Sequence, residues 1–260
     1  MPEEPYVTTE VERRVATVTM RRPRSFNALS WAMLDALEEH VTRAAEDPAV
    51  HAVVLAGEGK AFCAGHDLKE MRAHPDEAWQ RALFDRCGRL MLALRRAPVP
   101  VLARVQGIAT AAGCQLVAQC DLAVCARSAA FATSGVNLGL YCATPAVALS
   151  RAISPRSALE LTLTGRFLQA DEALALGLVQ RVAEGDNLDQ VLGELTAALA
   201  DKPRSVLVHG KATFWRQRDL GLEDALAFAA EAMARNMSFP EATEGIDAFL
   251  QRREPAWRRR

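Results

Sequence analysis

A repeated alternation of short apolar segments with amphipathic helices is the feature of this sequence that most restricts its fold. Three apolar runs have the length of strands, at residues 15–20, 52–56 and 101–105, and segments with helical spacing of apolar residues separate them. Runs that are apolar at nearly every position, such as 52–56, are typical of strands covered on both faces of a parallel sheet. The pattern therefore predicts an α/β fold with a buried, mostly parallel sheet.

Two long helices are predicted between these strands. The first is expected to begin after Ser30, because a serine side chain can accept a hydrogen bond from the first helical turn. Its apolar residues recur on one face: Leu34, Leu37, Val41 and Ala45. The second helix is expected over residues 77–96, just before two prolines that precede the strand at 101–105.

The C-terminal third is predicted to be helical. From Thr144 onward the apolar spacing is helical, apart from a brief strand at residues 178–182. We expect one domain with a core over residues 1–200 and a helical region over residues 201–260. Because the helices carry more apolar stripes than one core can cover, that region is expected to pack on the core or on a neighbouring subunit.

Charge and cysteine content argue against several classes of function. The formal net charge of −1 gives no field that would attract nucleic acid or an acidic membrane surface. The sequence has neither a long apolar run of membrane-spanning length nor the features of a signal peptide, so a cytoplasmic protein is predicted. Because the six cysteines form no Cys-x-x-Cys pair, we interpret them as reduced core thiols and predict no metal site.

Two loops rich in small residues each follow a strand and lead into a helix, at residues 60–68 and 106–115. Small residues let a ligand approach the main chain, and the start of a helix leaves N–H groups unpaired. Two such N–H groups converging on one point would form an oxyanion hole, which holds a thioester carbonyl as it becomes an enolate. The same residues are also typical of ordinary tight turns, so both interpretations stay open at this point.

Several motifs in register resemble those of the crotonase, or enoyl-CoA hydratase/isomerase, family. They lie at residues 22–29, 62–70, 112–121, 163–165, 170–179 and 244–253. Because they cover nearly the whole chain in order, they carry far more weight together than any one of them alone. The resemblance implies a crotonase-type ββα spiral core with a helical C-terminal trimerisation region, assembled as a homotrimer or a dimer of trimers. It also implies an acyl-CoA substrate, with coenzyme A as part of the substrate and no permanently bound cofactor.

Carried over residue by residue, the resemblance implies a role for eight positions. The backbone N–H groups of His66 and Ala112 would form the oxyanion hole. The CoA site would be lined by Ala28, Ala64, Asp67, Leu68, Phe249 and Arg252, the last two often across a subunit boundary. The role of His66 needs only its main chain, and a contact between its imidazole and a substrate carboxylate stays open as an alternative. Asp67 is equally suited to cap the helix that follows it.

The sequence departs from the family at two positions used for proton transfer. Hydratases carry one glutamate in the turn after the second N–H donor and another further along, where this chain has Gln115 and Gly135. A carboxamide orients water but exchanges no proton at neutral pH, and glycine has no side chain. Tyr141 and Cys142 are the other candidates, and core packing explains Cys142 better than proton transfer does. Ordinary hydratase activity is therefore predicted to be weak or absent.

Three functions stay open on this evidence. The first is an enzyme that acts on an acyl-CoA through an enolate, nominally a hydratase or isomerase. The second is a malonyl-type acyl-CoA decarboxylase, because loss of carbon dioxide generates the enolate without a base, and residues 64–67 and 136–139 look partly like methylmalonyl-CoA decarboxylase. The third is a non-catalytic module that binds acyl-CoA. Within the family, residues 111–116 and 210–214 look most like a hydratase-like subgroup of animal proteins.

Overall fold

The computed structural model describes residues 5–258. The strands are β1 (Val7–Glu12), β2 (Val15–Met20), β3 (Ala52–Gly57), β4 (Ala61–Cys63), β5 (Val101–Val105), β6 (Ile108–Thr110), β7 (Leu122–Ala126), β8 (Ala130–Ala132), β9 (Leu168–Gln169) and β10 (Arg181–Ala183). The helices are α1 (Trp31–Glu46), α2 (Leu68–Ala73), α3 (Glu77–Arg96), α4 (Ala112–Gln119), α5 (Ala143–Ala152), α6 (Pro155–Thr164), α7 (Ala170–Ala175), α8 (Leu188–Ala200), α9 (Arg204–Gln217), α10 (Leu222–Met237) and α11 (Pro240–Leu250).

The strands form two sheets. The larger has the order β1-β2-β3-β5-β7-β10, and its neighbours are parallel except for the antiparallel pair β1 and β2. The smaller has the order β4-β6-β8-β9, with β9 antiparallel to β8 and the other pairs parallel. The α/β class and the mostly parallel pairing are thus confirmed, while the sequence pattern had indicated one sheet.

Strand β3 is covered on both faces, as its uninterrupted apolar run predicted. Val53 and Leu55 belong to the main hydrophobic core, whereas Ala52 and Val54 alternate with them into a second core that includes Leu188 of α8. This division follows from the period of two in a strand, which sends successive side chains to opposite faces. The sheet is therefore a layer between helices.

Helix α1 matches its sequence signals. The Ser30 hydroxyl accepts a hydrogen bond from the N–H of Met33 at 3.3 Å, so the predicted N-terminal cap is present. The four apolar residues predicted on one face, Leu34, Leu37, Val41 and Ala45, are all buried. This helix packs on α3, and its N-terminal end adjoins the residues described below as the candidate site.

Helix α9 is tied to the core through a buried ion pair. Lys211 Nζ lies 2.7 Å from Asp121 Oδ2, and the Trp215 indole N–H donates to Asp121 Oδ1 at 2.6 Å. Burial lowers the pKa of Lys211, and the Asp121 carboxylate opposes that effect. Removal of either charge would leave the other buried and unpaired, which is strongly destabilising.

Several elements differ from the sequence prediction, the first of them because its strand partners are distant in sequence. Residues 108–110, predicted as part of a turn, form β6 between β4 and β8. The strand predicted at 178–182 is β10 at 181–183 instead, because the N–H of Leu178 donates to Ala173 O in the turn that ends α7. Strand β1 was not anticipated; it pairs antiparallel with the neighbouring strand β2, from Val7 opposite Met20 to Glu12 opposite Val15.

All six cysteines are buried and unpaired. Within residues 5–258, no group of three or more His, Cys, Asp or Glu side chains is arranged to hold a metal ion. In the same part of the chain, no helix combines the length and the apolarity that crossing a membrane requires.

Candidate active site

The first candidate N–H group belongs to His66, which lies in a short parallel bridge with Leu29. The N–H of Leu29 donates to Gly65 O at 2.8 Å, and the N–H of Asp67 donates to Leu29 O at 3.2 Å. In a parallel ladder the residue between two such bonds directs its own N–H away from the partner strand. The N–H of His66 is therefore directed away from the segment that contains Leu29.

The second candidate N–H group belongs to Ala112, the first residue of α4. A first helical residue has no partner for its N–H within the helix. The preceding Ala111 has φ of 50° and ψ of −119°, a strained conformation for a residue other than glycine that costs about 1–3 kcal/mol. Its own N–H donates to Ala132 O at 2.9 Å, so pairing with the smaller sheet holds the strained turn in place.

The two loops that carry these N–H groups touch through their main chains. A Cβ atom on Gly113 would lie 2.0 Å from Cys63 O, and one on Gly65 would lie 2.9 Å from Ala111 Cβ and 3.4 Å from Ala112 N. The glycines thus let the loops approach each other, whereas the sequence had suggested that small residues admit a ligand. Two outward N–H groups on adjacent loops are the arrangement an oxyanion hole requires.

Four buried polar atoms on the segments around these junctions have no hydrogen-bond partner within residues 5–258: His66 Nε2, Gln106 Oε1, Gln115 Oε1 and Thr133 Oγ1. Gln115 lies one turn after Ala112 on α4, and Thr133 directly follows the last residue of β8. Buried polar atoms without partners are uncommon, and each calls for an explanation such as a ligand or an ordered water. Gln115 Oε1 is therefore a buried acceptor that the described part of the chain does not satisfy.

The imidazole of His66 is held in one orientation. Its Nδ1 lies 3.3 Å from Leu29 O, and its ring meets the ring of Phe84 on α3 edge-on, with 5.3 Å between the centroids. Burial lowers the pKa of His66 to about 4, so the imidazole is neutral at pH 7. This side chain is therefore packed in place, although the predicted role concerned only the main chain.

Three of the six residues predicted to line a CoA site, Ala64, Asp67 and Leu68, lie on the loop that carries His66, and a fourth, Ala28, precedes Leu29 on the segment bridged to that loop. The N–H of Ala64, which is exposed, donates to Phe26 O at 3.0 Å, beside Ala28. Asp67 Oδ1 accepts from the N–H groups of Lys69 at 3.0 Å and Glu70 at 3.2 Å, so it caps α2 as the sequence also suggested. Leu68 is half exposed beside it. Their contact with CoA stays a prediction.

Phe249 and Arg252 are not brought to this site within the same chain. Phe249 lies on α11 and is 82% exposed, and Arg252 is also exposed. Helix α11 lines a cleft of about 610 Å³ together with Pro48 and His51, at the C-terminal end of α1. The His66 bridge adjoins the other end of α1, about 24 Å away for a helix of 16 residues.

Gly135, at the position of the second absent glutamate, has no space for a side chain. A Cβ atom there would lie 2.6 Å from Leu140 O and 2.8 Å from Cys142 Sγ. Cys142 is buried, and burial raises the pKa of its thiol, consistent with the packing role favoured above. Tyr141 is half exposed, and its hydroxyl lies 3.5 Å from Thr162 Oγ1, so no contact places it at the junction of the two loops.

Asn27 is a positioning residue that the sequence reasoning did not single out by role. Its buried amide Nδ2 donates to Ala61 O at 2.9 Å and Phe62 O at 3.1 Å, and its Oδ1 accepts from the N–H of Arg22. With φ of 53°, it adopts a left-handed conformation that asparagine tolerates better than most residues. The motif around residues 27–29 was the sequence signal that could have identified Asn27. No local pattern in the sequence indicated that Thr133 would be a buried polar residue near the site.

The two sheets, the bridged loop at His66 and the strained start of α4 define a protein of the crotonase fold. The chain belongs to the enoyl-CoA hydratase/isomerase family, whose model matches residues 10–260. It is 41% identical over 255 residues to the rat protein named enoyl-CoA hydratase domain-containing protein 3, mitochondrial, covering 98% of this chain and 85% of that protein.

Solved structures agree with this assignment. The crystal structure of an enoyl-CoA hydratase from Mycobacterium smegmatis has a TM-score of 0.96 and is 53% identical in sequence. The match covers 98% of this chain and 99% of that one. The crystal structure of human enoyl-CoA hydratase domain-containing protein 3 has a TM-score of 0.94 and is 38% identical in sequence. The match covers 97% of this chain and 100% of the human one. The predicted family, subgroup likeness and crotonase fold are thus confirmed.

Proposed function

We propose that this protein binds an acyl-CoA thioester with its carbonyl oxygen between the N–H groups of His66 and Ala112, and stabilises the enolate that forms there. The observation that supports the proposal is the contact of the two loops through Gly65 and Gly113, because it brings together the two segments that carry these N–H groups. Such preorganised donors stabilise charge that develops in the transition state. The CoA part would lie along Ala28, Ala64 and Leu68.

The nominal reactions of the family, hydration and isomerisation, are expected to be slow in this protein. Gln115 cannot exchange a proton at neutral pH, and the space that a side chain at position 135 would need is filled by residues 140–142. Because positioned acid–base groups typically contribute about 10²–10⁴-fold to the rate, an oxyanion hole without them leaves hydration weak.

A second candidate is decarboxylation of a malonyl-type acyl-CoA. The two positions without carboxylates favour it, because loss of carbon dioxide delivers the electron pair to the enolate with no base. A module that binds acyl-CoA without turnover is the third candidate, in which the oxyanion hole serves recognition alone.

The three candidates are separated by incubating the protein with crotonyl-CoA, methylmalonyl-CoA and longer acyl-CoAs, with product analysis by mass spectrometry. We expect every CoA ester to bind, as measured by calorimetry, and slow hydration of crotonyl-CoA. Release of carbon dioxide would select decarboxylation, and binding with no turnover of any ester would select the module. The absence of both heat and thermal shift with all CoA esters would refute the proposal.

We expect the protein to be a homotrimer or a dimer of trimers. The C-terminal helices leave large apolar side chains uncovered in the single chain: Leu222, Leu226, Met233, Met237, Phe249 and Leu250. Leu222, Leu226, Met233 and Met237 recur at helical spacing on α10, and an apolar stripe left uncovered usually marks a protein interface. Since α11 lies far from the His66 bridge of its own chain, assembly would also let Phe249 and Arg252 reach the CoA of a neighbour.

Light scattering at micromolar concentration tests the assembly. The parent should have the mass of three or six chains, and Leu226→Asp, which places a charge in the exposed apolar surface, should shift it toward monomer. Val11→Asp is a matched control, because Val11 is an exposed apolar residue on β1, away from these helices. A monomeric parent would contradict the prediction.

The remaining predictions concern partners and location. We keep a cytoplasmic location and the absence of nucleic-acid and membrane partners as predictions from the sequence. The word mitochondrial in the names of the animal relatives describes those proteins. Fractionation of the producing cells, with detection of the native chain, would decide the location.

A further inference from the structure

A cavity of about 210 Å³ lies at the C-terminal end of α4, the end opposite to Ala112. The ends of α3, α5 and α9 and the turn before β10 complete its walls. Because α4 has eight residues and a helix rises 1.5 Å per residue, about 10 Å separates its two ends. Among residues 5–258, the lining includes neither of the two loops of the candidate active site. The proposed oxyanion chemistry therefore makes no use of this cavity.

Three arginines line this space, which we call the arginine cavity: Arg95 in the last turn of α3, Arg151 in the last turn of α5 and Arg218 directly after α9. The guanidinium carbons of Arg95 and Arg218 lie 3.6 Å and 5.5 Å from the ring centroid of Trp215. That ring is itself fixed, because its N–H donates to Asp121. The guanidinium groups are thus held around one space.

The positive charge of this lining is balanced only in part by the described chain. Within residues 5–258, neither Arg151 nor Arg218 has a carboxylate within ion-pair distance. Arg95 has one, because its Nη2 lies 3.9 Å from Oδ2 of the exposed Asp219. Three guanidinium groups therefore share one distant carboxylate.

Asp121 also lines the cavity, but its charge is already paired. Its Oδ2 lies 2.7 Å from Lys211 Nζ and accepts from the N–H of Val101 at 2.7 Å. Its Oδ1 accepts from the indole N–H of Trp215. Asp121 and Lys211 together are neutral, so the arginines remain in excess.

Mutual repulsion of the guanidinium groups acts on Arg95. Burial is the main cause that lowers its pKa, and the Asp219 and Asp121 carboxylates oppose this shift. The charges of Arg218 and Arg151 add to it. An anion in the cavity would offset this repulsion.

Each arginine also has a structural role at a helix end. Arg218 donates to Arg151 O at 3.3 Å, Arg151 donates to Val147 O at 2.9 Å, and Arg95 donates to Trp215 O at 3.5 Å. A basic residue near a helix C-terminus is favourable in itself, but that role does not require three of them to meet at one cavity. Since a guanidinium group has five N–H donors, most of them stay available to a ligand.

We infer that the arginine cavity binds a phosphate group, either inorganic phosphate or the phosphate of a small ester. A phosphate ester carries about −1.5 to −2 charges near pH 7, on oxygens whose geometry matches the guanidinium fork. A dicarboxylate of the same charge spreads it over two separate groups. Because pockets for drug-sized ligands measure about 300–1,000 Å³, a cavity of about 210 Å³ suits a compact anion.

Calorimetric titration of the parent with inorganic phosphate and with glycerol phosphate, at an ionic strength held constant with chloride, tests the inference. Binding of either one supports it, and the tighter of the two identifies the source of the phosphate group. Arg151→Gln and Arg218→Gln should each weaken this binding about 10-fold, the worth of one charge-assisted hydrogen bond. Arg218→Lys keeps the charge without the fork, so it should lose less than Arg218→Gln.

Two controls separate this site from other effects. Arg216→Gln makes the same exchange on α9, at an exposed position outside the lining, and should bind phosphate like the parent. Saturating acetyl-CoA should leave the phosphate affinity unchanged, because the candidate active site lies at the other end of α4. The inference therefore does not rest on the proposed function, and each can fail without the other.

Four results would overturn the inference. They are no heat with either phosphate compound in the parent, unchanged affinity in Arg151→Gln and Arg218→Gln, an equal loss in Arg216→Gln, and displacement of phosphate by acetyl-CoA. The last result would place the phosphate in the CoA site. Melting temperatures show which variants are folded, and Arg218→Lys, which keeps the charge at the end of α9, carries the test if a glutamine variant is not.

Discussion

Replacing Ala112 by proline should lower the turnover of the ester that the protein converts by about 10²–10³-fold, the usual loss for one oxyanion-hole donor. Proline removes the N–H of residue 112 and adds no charge. Residue 112 is the first of α4, a helical position where proline is well tolerated because its N–H has no helical partner. Because a residue before proline is restricted to extended conformations and Ala111 has φ of 50°, the melting temperature is measured beside the rate to separate the lost donor from a displaced turn.

A spectroscopic measurement makes this prediction independent of turnover. The absorption band of a conjugated thioester such as cinnamoyl-CoA moves to longer wavelength when its carbonyl is polarised, so the parent should shift it and Ala112→Pro should not. Glu77→Pro is a matched control, because Glu77 is the exposed first residue of α3. If folded Ala112→Pro keeps both the shift and the rate, the N–H of Ala112 is not a donor.

Replacing Gln115 by glutamate should raise the hydration of crotonyl-CoA by about 10²-fold, the low end of what a positioned acid–base group contributes. The position lies on α4 one turn after Ala112 and is buried, so the introduced carboxyl would lie near the proposed enolate. Because burial disfavours the charged form and raises a carboxyl pKa, the gain should grow as pH rises.

Two further variants define this experiment. Gln119→Glu adds the same charge one turn further along α4, at a half-buried position, and should leave hydration unchanged. Gly135→Glu should lower the melting temperature, because its Cβ would meet the backbone of Leu140 at 2.6 Å. If Gln115→Glu folds, binds crotonyl-CoA and hydrates it no faster, the pocket is shaped for different chemistry. A parent that already hydrates at the speed of an ordinary hydratase would mean that other groups move the proton.

Local signals in the sequence were sufficient for much of the fold. The apolar runs predicted β2, β3 and β5 because a strand buried on one face or on both shows this in the apolar pattern of its own residues. Ser30 and Asp67 predicted the starts of α1 and α2 because a cap involves atoms only two or three residues apart. The absence of glutamate at positions 115 and 135 is likewise a plain fact of the sequence.

Contacts between distant segments decided the rest, because no local pattern encodes them. Pairing with β4 and β8 made a strand of the small-residue run at 108–110, and the approach of Cys63 to Gly113 put the two loops together. The turn at residues 140–142 closed the space beside Gly135, and the path of α11 placed Phe249 far from the His66 bridge.

The same division holds for His66. The sequence by itself determined that an imidazole stands where the proposed chemistry asks only for a main-chain N–H. Which nitrogen carries the proton, and that the other is buried without a partner, were decided by Leu29 and Phe84. Leu29 lies 37 positions before His66, and Phe84 lies on the separate helix α3. Only the packing of the folded chain brings them to the ring.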